Sequence, residues 1–329
     1  MVEVSDEEIK DYQAKGGVIN FIGHHGVENE GSATKPLRLV ANSSLKNCYT
    51  GPSVNDIWAK GPNSLNNLLE VLIRWRCYEE AVVWDHTKVY HSIRTTDKEK
   101  YLRLVVWRFD ENGNWKVWAF VVVAFGDIPA SVLLELVKDK AAELGKEIDG
   151  VAAARISNDS YVDDNLTGGT KEEVMKMVGN CTMTDEGKYQ YDGTVSEILA
   201  KVGLKVKVFV VSGEQDQEKI DKLGGKVLGH KWLPGDDVLM YSLTVNIHPK
   251  RLKMRTGPDL TVEDLEKLDE VIFTKRKILS IINGFFDPMG LLSAYLIKFK
   301  ILMKELFGEA DYDWDTPYRR PCRSSGGTW

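Results

Sequence analysis

The sequence predicts an α+β fold, a mixed α and β core followed by a mostly helical C-terminal subdomain. Three observations carry this expectation. "YLRLVVWRFDENGNWKVWAFVVVAF" (101–125) sets two β-rich runs about an Asn-Gly turn signal and predicts a hairpin. "PASVLLELVKDKAAELGKEI" (129–148) opens on Pro, keeps apolar periodicity and has Gly145 near its end, so it predicts a helix. From Leu260 to Phe307 the periodicity is helical, through "TVEDLEKLDEVIFTKRKILSIINGFF" and "GLLSAYLIKFKILMKELF", with Thr261 and Asp264 as a capping box.

The remaining elements follow in order. From Gly17 to about Lys60 the chain is rich in Gly, Asn, Ser and Pro, which predicts loops with short strands such as "LRLV" (Leu37 to Val40). "SLNNLLEVLIRW" places Leu65, Leu68, Leu69 and Leu72 at helical spacing, with Ser64 as N-cap. "EEAVVWD" is a buried strand ending at Asp85. "KEEVMKMVGNCTM" and "VSEILAKVG" are helices, "KVKVFVV" alternates as a strand, and "KVLGHKWLPGDDVLMYSLTV" is a second hairpin.

Composition narrows the class. The chain has 329 residues, enough for two or three subdomains. Its 43% hydrophobic and 28% charged content is that of a soluble globular protein. No run approaches the ~18 apolar residues that cross a membrane, so no membrane partner is expected. The acidic start "MVEVSDEEIKDY" is unlike a secretory signal. Cys48, Cys77, Cys181 and Cys322 are scattered, which suits a reducing intracellular compartment and argues against a zinc site or disulfide framework. The net charge of −6 weighs against a nucleic-acid surface, but three basic strips stand out. They are "IRWR" (Ile73 to Arg76), "KVGLKVKV" (Lys201 to Val208) and "HPKRLKMR" (His248 to Arg255).

The carboxylates carry the chemistry. Asp163 and Asp164 are adjacent in "SYVDDNLTGG", and Asp236 and Asp237 in "PGDDV". Either pair alone is a hydrophilic turn. Asp85 ends an apolar strand, where its carboxylate emerges at a sheet edge and meets a hairpin acid pair. Crowded carboxylates titrate together, and a divalent cation relieves their repulsion. Hard oxygen donors suit Mg²⁺, with Mn²⁺ as an alternative. Two such ions clamp the attacking and leaving oxygens of phosphoryl transfer. Polymerase and nuclease chemistry both satisfy this pattern, and spacing does not choose between them.

"YVDD" (Tyr161 to Asp164) followed by "LTGG" resembles the catalytic hairpin of Bel/Pao-class retrotransposon reverse transcriptases. Further blocks fall in that family's order: "KPLRLVANSS" (35–44), "GPSVNDIWAKGPNSLNNLLEVLIRWR" (51–76), "DHTKVYHSIR" (85–94), "VAFGDIPAS" (123–131) and "LGHKW" (228–232). "FTKRKILSIINGFFDPMGLLSAYLIKFKILMKELF" (273–307) is the nearest to the family pattern. Together the blocks cover roughly Gly23 to Trp314. Adjacent His24 and His25 resemble a His pair common near the family's fingers.

The resemblance implies a right-hand polymerase fold. Its parts are a fingers-like region (1–80), an antiparallel-sheet palm (81–250, with a fingers insertion at about 96–120) and a truncated helical thumb or connection (251–329). It implies an RNA-directed DNA polymerase using two Mg²⁺ ions, a primed RNA or DNA template and dNTPs, in the cytoplasm or in virus-like particles. Asp85, Asp163 and Asp164 take the catalytic metal positions, with the carbonyl of His86 assisting. Lys35 and Arg38 hold the triphosphate; Tyr90, Phe125 and Gly126 shape the nucleotide pocket; Leu228, Gly229 and Trp232 form the primer grip. Asp236 and Asp237 fall in a structural turn.

The chain departs from the family at Asn42 (usually Asp), His86 (usually Ile or Val), Ala124 and Asp127 (usually Pro and a hydrophobe), and in "RISNDS", which is polar for a buried palm strand. No RNase H, protease or integrase block is visible, which implies a polyprotein fragment, a truncated element or a stand-alone copy. A decayed or host-adopted copy that binds nucleic acid or protein is the alternative. A metal-dependent nuclease accounts for the acids but not for Tyr90, the Phe-Gly loop or "LGHKW".

Overall fold

The computed structural model describes residues 1–28, 37–46, 51–224, 226–241, 272–308 and 313–317. They form a mixed α/β structure with antiparallel sheets, in two compact units: Met1–Gly225 with Pro234–Asp237, and Lys226–Leu233 with Val238–Trp329.

In chain order the first unit begins with β1 (Val2–Val4), α1 (Asp6–Ala14), β2 (Gly23–Glu28), β3 (Leu37–Asn42), α2 (Val54–Ile57), α3 (Leu68–Arg76) and β4 (Glu80–His86). It continues with β5 (Leu104–Trp107), β6 (Lys116–Ala119), α4 (Ala130–Gly145), α5 (Gly150–Asn158), β7 (Ser160–Tyr161) and β8 (Asp164–Gly169). Then come α6 (Lys171–Val178), β9 (Cys181–Met183), β10 (Tyr189–Tyr191), α7 (Thr194–Ala200), β11 (Val206–Val211) and α8 (Gln217–Leu223). The second unit holds β12 (Lys226–Val227), β13 (His230–Leu233), β14 (Val238–Met240), α9 (Lys275–Gly284) and α10 (Ser293–Gly308).

The sheet that matters most is antiparallel, in the order β11-β4-β8-β7. "AVVW" in β4 is buried on both faces, as a central strand requires. Val82 and Trp84 alternate onto one face and pack with Phe209 against Leu134, Ala141, Ala152, Ala153, Ile156, Ile198 and Leu199 of α4, α5 and α7. The alanines let α4 and α5 approach closely over the sheet. Each large apolar side chain so buried contributes roughly 1.5–3 kcal/mol. Gly145, expected near a helix end, is the last residue of α4, and a Cβ there would lie 2.6 Å from Ile198 Cγ2.

Several local expectations are corrected. Asn67, not Ser64, caps α3, its Oδ1 accepting from Leu69 N at 3.0 Å and Glu70 N at 3.4 Å. The polar stretch "RISND" is no palm strand. It ends α5, with Asp159 as the C-cap, so strand β7 is only two residues long. The hairpin β5–β6 forms, but residues 108–115 make a longer loop centred on Asp110, whose Oδ1 accepts from Asn112 N at 3.1 Å. The acidic N-terminus supplies β1, which pairs with β6, and α1, capped by Ser5 with Asp6, Glu7 and Glu8 in its first turn.

In the second unit β12, β13 and β14 form one sheet. Leu228 and Gly229 make the two-residue turn between β12 and β13, both with positive φ (45° and 82°). A Cβ at Gly229 would lie 2.5 Å from Phe286 Cδ1, so only glycine fits. Asp287 of "FFDPMG" accepts from Tyr241 Oη (3.0 Å) and Leu292 N (2.8 Å), which explains the acid in that motif. Ile278 and Ile282 of α9 pack on Met303 and Leu306 of α10. The Thr261–Asp264 capping box, the strip at 248–255, Cys48 and Cys322 lie outside the described residues.

Candidate active site

The β7–β8 hairpin pairs Ser160 with Asn165 and Tyr161 with Asp164, leaving Val162 and Asp163 as a two-residue turn. Trp84 pairs with Asn165 across β4 and β8, so the next positions on these strands are Asp85 and Asp164. Alternation sends both carboxylates to the face opposite the Trp84 ring. Asn165, fully buried, donates from Nδ2 to Asp163 O (2.9 Å) and Trp84 O (3.3 Å), tying the acid turn to β4.

The electrostatics report this convergence. Burial first, then Asp163, then Asp85, push the Asp164 carboxyl up to about 7. Burial, then Asp163, raise Tyr90 to about 12, which puts the phenol beside the turn. His86 turns its ring to the helical layer, where burial and then Lys138 lower it to about 4. Asp85 forms an ion pair with Lys207 Nζ at 2.7 Å, and the same nitrogen donates to Lys222 O at 2.7 Å. Lys207 sits at the irregularity in the β11–β4 register, between Val206 and Val208. Among the described residues no three His, Cys, Asp or Glu side chains gather as a ready metal-holding group. The donor class, carboxylates of which one is driven toward the neutral form by burial and then by its acidic neighbours, suits a hard dication. The Asp85 rotamer seen here serves Lys207 instead.

Val162 adopts φ +56°, an uncommon conformation for a β-branched residue. Beneath it lie two charged groups of α4. Lys138 Nζ donates to Val162 O (2.6 Å) and to Glu135 Oε1 (3.0 Å); Val162 N donates to that same Glu135 oxygen (3.0 Å). Both side chains are essentially inaccessible. Burial raises the Glu135 pKa and lowers that of Lys138.

Beside the acids, the Phe125 ring meets the buried Tyr90 edge-on, centroids 4.6 Å apart. Gly126 has φ +91°, and its carbonyl accepts from Asn55 Nδ2 at 2.8 Å, while Asn55 Oδ1 accepts from Ile128 N at 2.9 Å. The "GPSVND" block thus braces the Phe-Gly loop. Asp127, a departure from the family pattern, is fully buried. It accepts from Ser43 Oγ (2.5 Å) and Ala124 N (2.7 Å) and pairs with the buried Arg103 at 2.9 Å.

Asp159, another buried acid, accepts from Arg74 Nη1 (3.0 Å), Tyr78 Oη (2.8 Å) and Thr167 Oγ1 (2.7 Å). This gives "LTGG" a structural content. Thr167 bonds the hub, and a Cβ on Gly168 would lie 2.2 Å from Glu80 O. A Cβ on Gly169 would lie 2.3 Å from Glu173 Oε2, part of the Thr170–Glu173 capping box.

The other expected residues are placed as follows. Lys35 lies outside the described residues; of Arg38 the backbone is described, paired with Val27. Leu228 and Gly229 form the β12–β13 turn, and Trp232 is buried in β13. Asp237 is structural, as expected, held by Arg76 through Oδ1 (2.7 Å) and Oδ2 (3.0 Å). His24 packs against Trp107, centroids 5.3 Å apart. No helix among the described residues is long and apolar enough to cross a membrane.

Sequence reasoning missed Glu135, Lys138, Lys207, Asn55, Arg103 and Asp159. A usable signal existed at one place, where "LLELVKD" sets Glu135 and Lys138 three residues apart within the apolar periodicity of α4.

Residues 274–325 match the family described as the Pao retrotransposon-like RNaseH-like domain. The sequence alone showed no RNase H block, and the match at 274–325 corrects that expectation. No curated protein matches the chain. The chain is similar to the foamy viral protease-reverse transcriptase in complex with double-stranded DNA, at 16% identity and TM-score 0.43, covering 93% of this chain and 43% of that one. It is similar to the native prototype foamy virus enzyme at 15% identity and TM-score 0.40, covering 94% and 34%. For the foamy viral enzyme in complex with an RNA/DNA hybrid the values are 16% and 0.44, covering 91% and 32%. The chain spans less than half the length of each.

Proposed function

We propose that this chain is the polymerase region of a Bel/Pao-class retrotransposon reverse transcriptase, an RNA-directed DNA polymerase. The observation that supports the reading is the strand register, which sets Asp85 of β4 beside Asp164 of β8, one position beyond the Trp84–Asn165 pair, with Asp163 in the adjoining turn and Tyr90 and Phe125 in edge-on contact nearby. Bound Mg²⁺ ions would activate a primer 3′-hydroxyl and steady the pyrophosphate leaving group. Asp85, Asp163 and Asp164 would hold them. The Tyr90 ring would reject a ribose 2′-hydroxyl, and the Phe125–Gly126 loop, braced by Asn55, would seat the base and sugar. Lys35 and Arg38 would take the triphosphate. In this reading 1–80 is fingers and 81–250 palm. The helical part from 251 to 329 leads into the RNaseH-like region matched at 274–325.

The ion pair between Asp85 and Lys207 favours a second reading, a copy that keeps the fold and has lost catalysis. Primer extension separates the two. The protein and Asp163→Asn are compared on an RNA template with a DNA primer, dNTPs and Mg²⁺. Incorporation by the first and not the second is expected. Equal incorporation, or none by either, sinks the polymerase reading.

A further inference from the structure

We infer that Glu135 and Lys138 of α4 are the positioning pair of the acid turn. They grip the N–H and the C=O of Val162, one on each of its two peptide groups, and so hold Asp163 and Asp164 where they can receive a divalent cation. The inference rests on the metal-dependent reading above and deepens it.

The argument starts from an adverse backbone. A β-branched residue in the left-handed region is strained and persists only where its surroundings over-determine it. Val162 has no glycine's freedom, and its turn carries an adjacent pair of acids that repel. The restraint visible around it comes from the helix below. Glu135 Oε1 accepts the Val162 N–H at 3.0 Å, and Lys138 Nζ donates to the Val162 carbonyl at 2.6 Å. The two side chains then close on each other at 3.0 Å. Ser160 Oγ adds a longer contact to the second Glu135 oxygen, 3.4 Å.

Charge explains why a pair is used. An unpaired ion at this depth is strongly unfavourable, and a neutral side chain makes a weaker hydrogen bond. A Glu–Lys pair three residues apart on one helix leaves no net charge in the core, yet presents an acceptor and a donor to the N–H and C=O of a single residue. The pair's hydrogen bonds toward the turn go to Val162, and among the described residues none goes to the Asp85, Asp163 or Asp164 carboxylates, so the pair acts through Val162. Residues that orient metal ligands from behind typically cost about 10- to 100-fold in metal affinity when lost.

The test uses Mn²⁺ titrations followed by EPR on the full chain, with primer extension alongside. The wild type is expected to bind Mn²⁺ in a manner that requires Asp163. The double variant Glu135→Gln/Lys138→Met removes both buried charges at similar volume. It should weaken Mn²⁺ by about 10- to 100-fold. Adding Val162→Gly, which adopts positive φ freely, should restore most of that affinity. A merely structural pair would show no such rescue.

If the wild type binds no Mn²⁺ through Asp163, the functional reading fails and takes the positioning role with it. If the wild type binds and the double variant binds equally, or glycine gives no rescue, the positioning role alone is overturned. Should the double variant not fold, Lys138→Met replaces it, since Glu135 can then protonate in place. Mn²⁺ affinity unchanged in Lys138→Met would equally overturn the role.

Discussion

Replacing Asp127 by Asn isolates a charge that the fold has sealed from water. Arg103 and Asp127 are both fully inaccessible, with nitrogen and oxygen 2.9 Å apart. At an effective dielectric near 20 their attraction is roughly 6 kcal/mol, most of which offsets desolvation. The amide leaves Arg103 charged and without its buried carboxylate, beside the Val122 carbonyl at 2.5 Å and the faces of Trp58 and Phe120. Breaking one side of such a pair costs about 3–5 kcal/mol. In a unit of this size that lowers the melting temperature by roughly 10 °C. Urea unfolding followed by tryptophan fluorescence measures it, with Trp58 near the lesion. The double variant Arg103→Met/Asp127→Leu removes both charges and should recover most of the loss. If Asp127→Asn costs under about 1 kcal/mol, or the double variant costs the sum of the singles, the pair is not the anchor of the Phe125–Gly126 loop.

Three further outcomes are expected. Gly168→Ala would press a Cβ to 2.2 Å from Glu80 O and 2.6 Å from Tyr78 Cβ; a loss of about 1–3 kcal/mol in a denaturant melt is expected, and neutrality would contradict the close β4–β8 approach. Asp164 has a folded value of about 7 against roughly 3.9 unfolded, so between these the native state binds more protons and stability falls as pH rises from about 4 to about 7. Asp164→Asn should flatten that slope in pH-dependent melts, and Mn²⁺ affinity should rise with pH through the same upper value as the proton leaves. Lys207→Met frees Asp85 of its partner and should tighten Mn²⁺ binding; unchanged affinity would remove Asp85 from the ligand set.

What the sequence made legible was what local pattern dictates. β4 is a continuous β-branched and aromatic run, and α4 opens on Pro with apolar periodicity, so both elements could be read directly. The acid pair alone was legible only as a turn, which it is; the role expected of it came from the family resemblance of "YVDD" and "LTGG". "RISND" was misread because its polarity was judged against a strand. As the last turn of α5 those same residues work: Asp159 takes Arg74, Tyr78 and Thr167, and the Asn158 carbonyl takes Arg74 at 2.7 Å. Arg74 and Tyr78, more than eighty positions away, decide that, and no window on the chain contains them. Glu135 and Lys138 were hidden for a related reason. Charged residues on an amphipathic helix are solvated unless the tertiary structure turns them inward.

The unfavourable features of this molecule cluster. Within a few residues stand a left-handed valine, two adjacent acids, a carboxyl held near neutrality and a buried ion pair with no net charge to offer the surface. Each costs stability by itself, and an ordinary Asn-Gly turn would join Tyr161 to Asp164 without any of them. A chain does not concentrate local conflict at one turn for the sake of folding, since consistency across levels is what makes a sequence fold. The strain is matched by restraint: Glu135 and Lys138 from below, Asn165 from the neighbouring strand, Asp159 behind the following strand. That combination of conflict and restraint, more than the four-letter string itself, is what the proposed polymerase reading draws on at this hairpin.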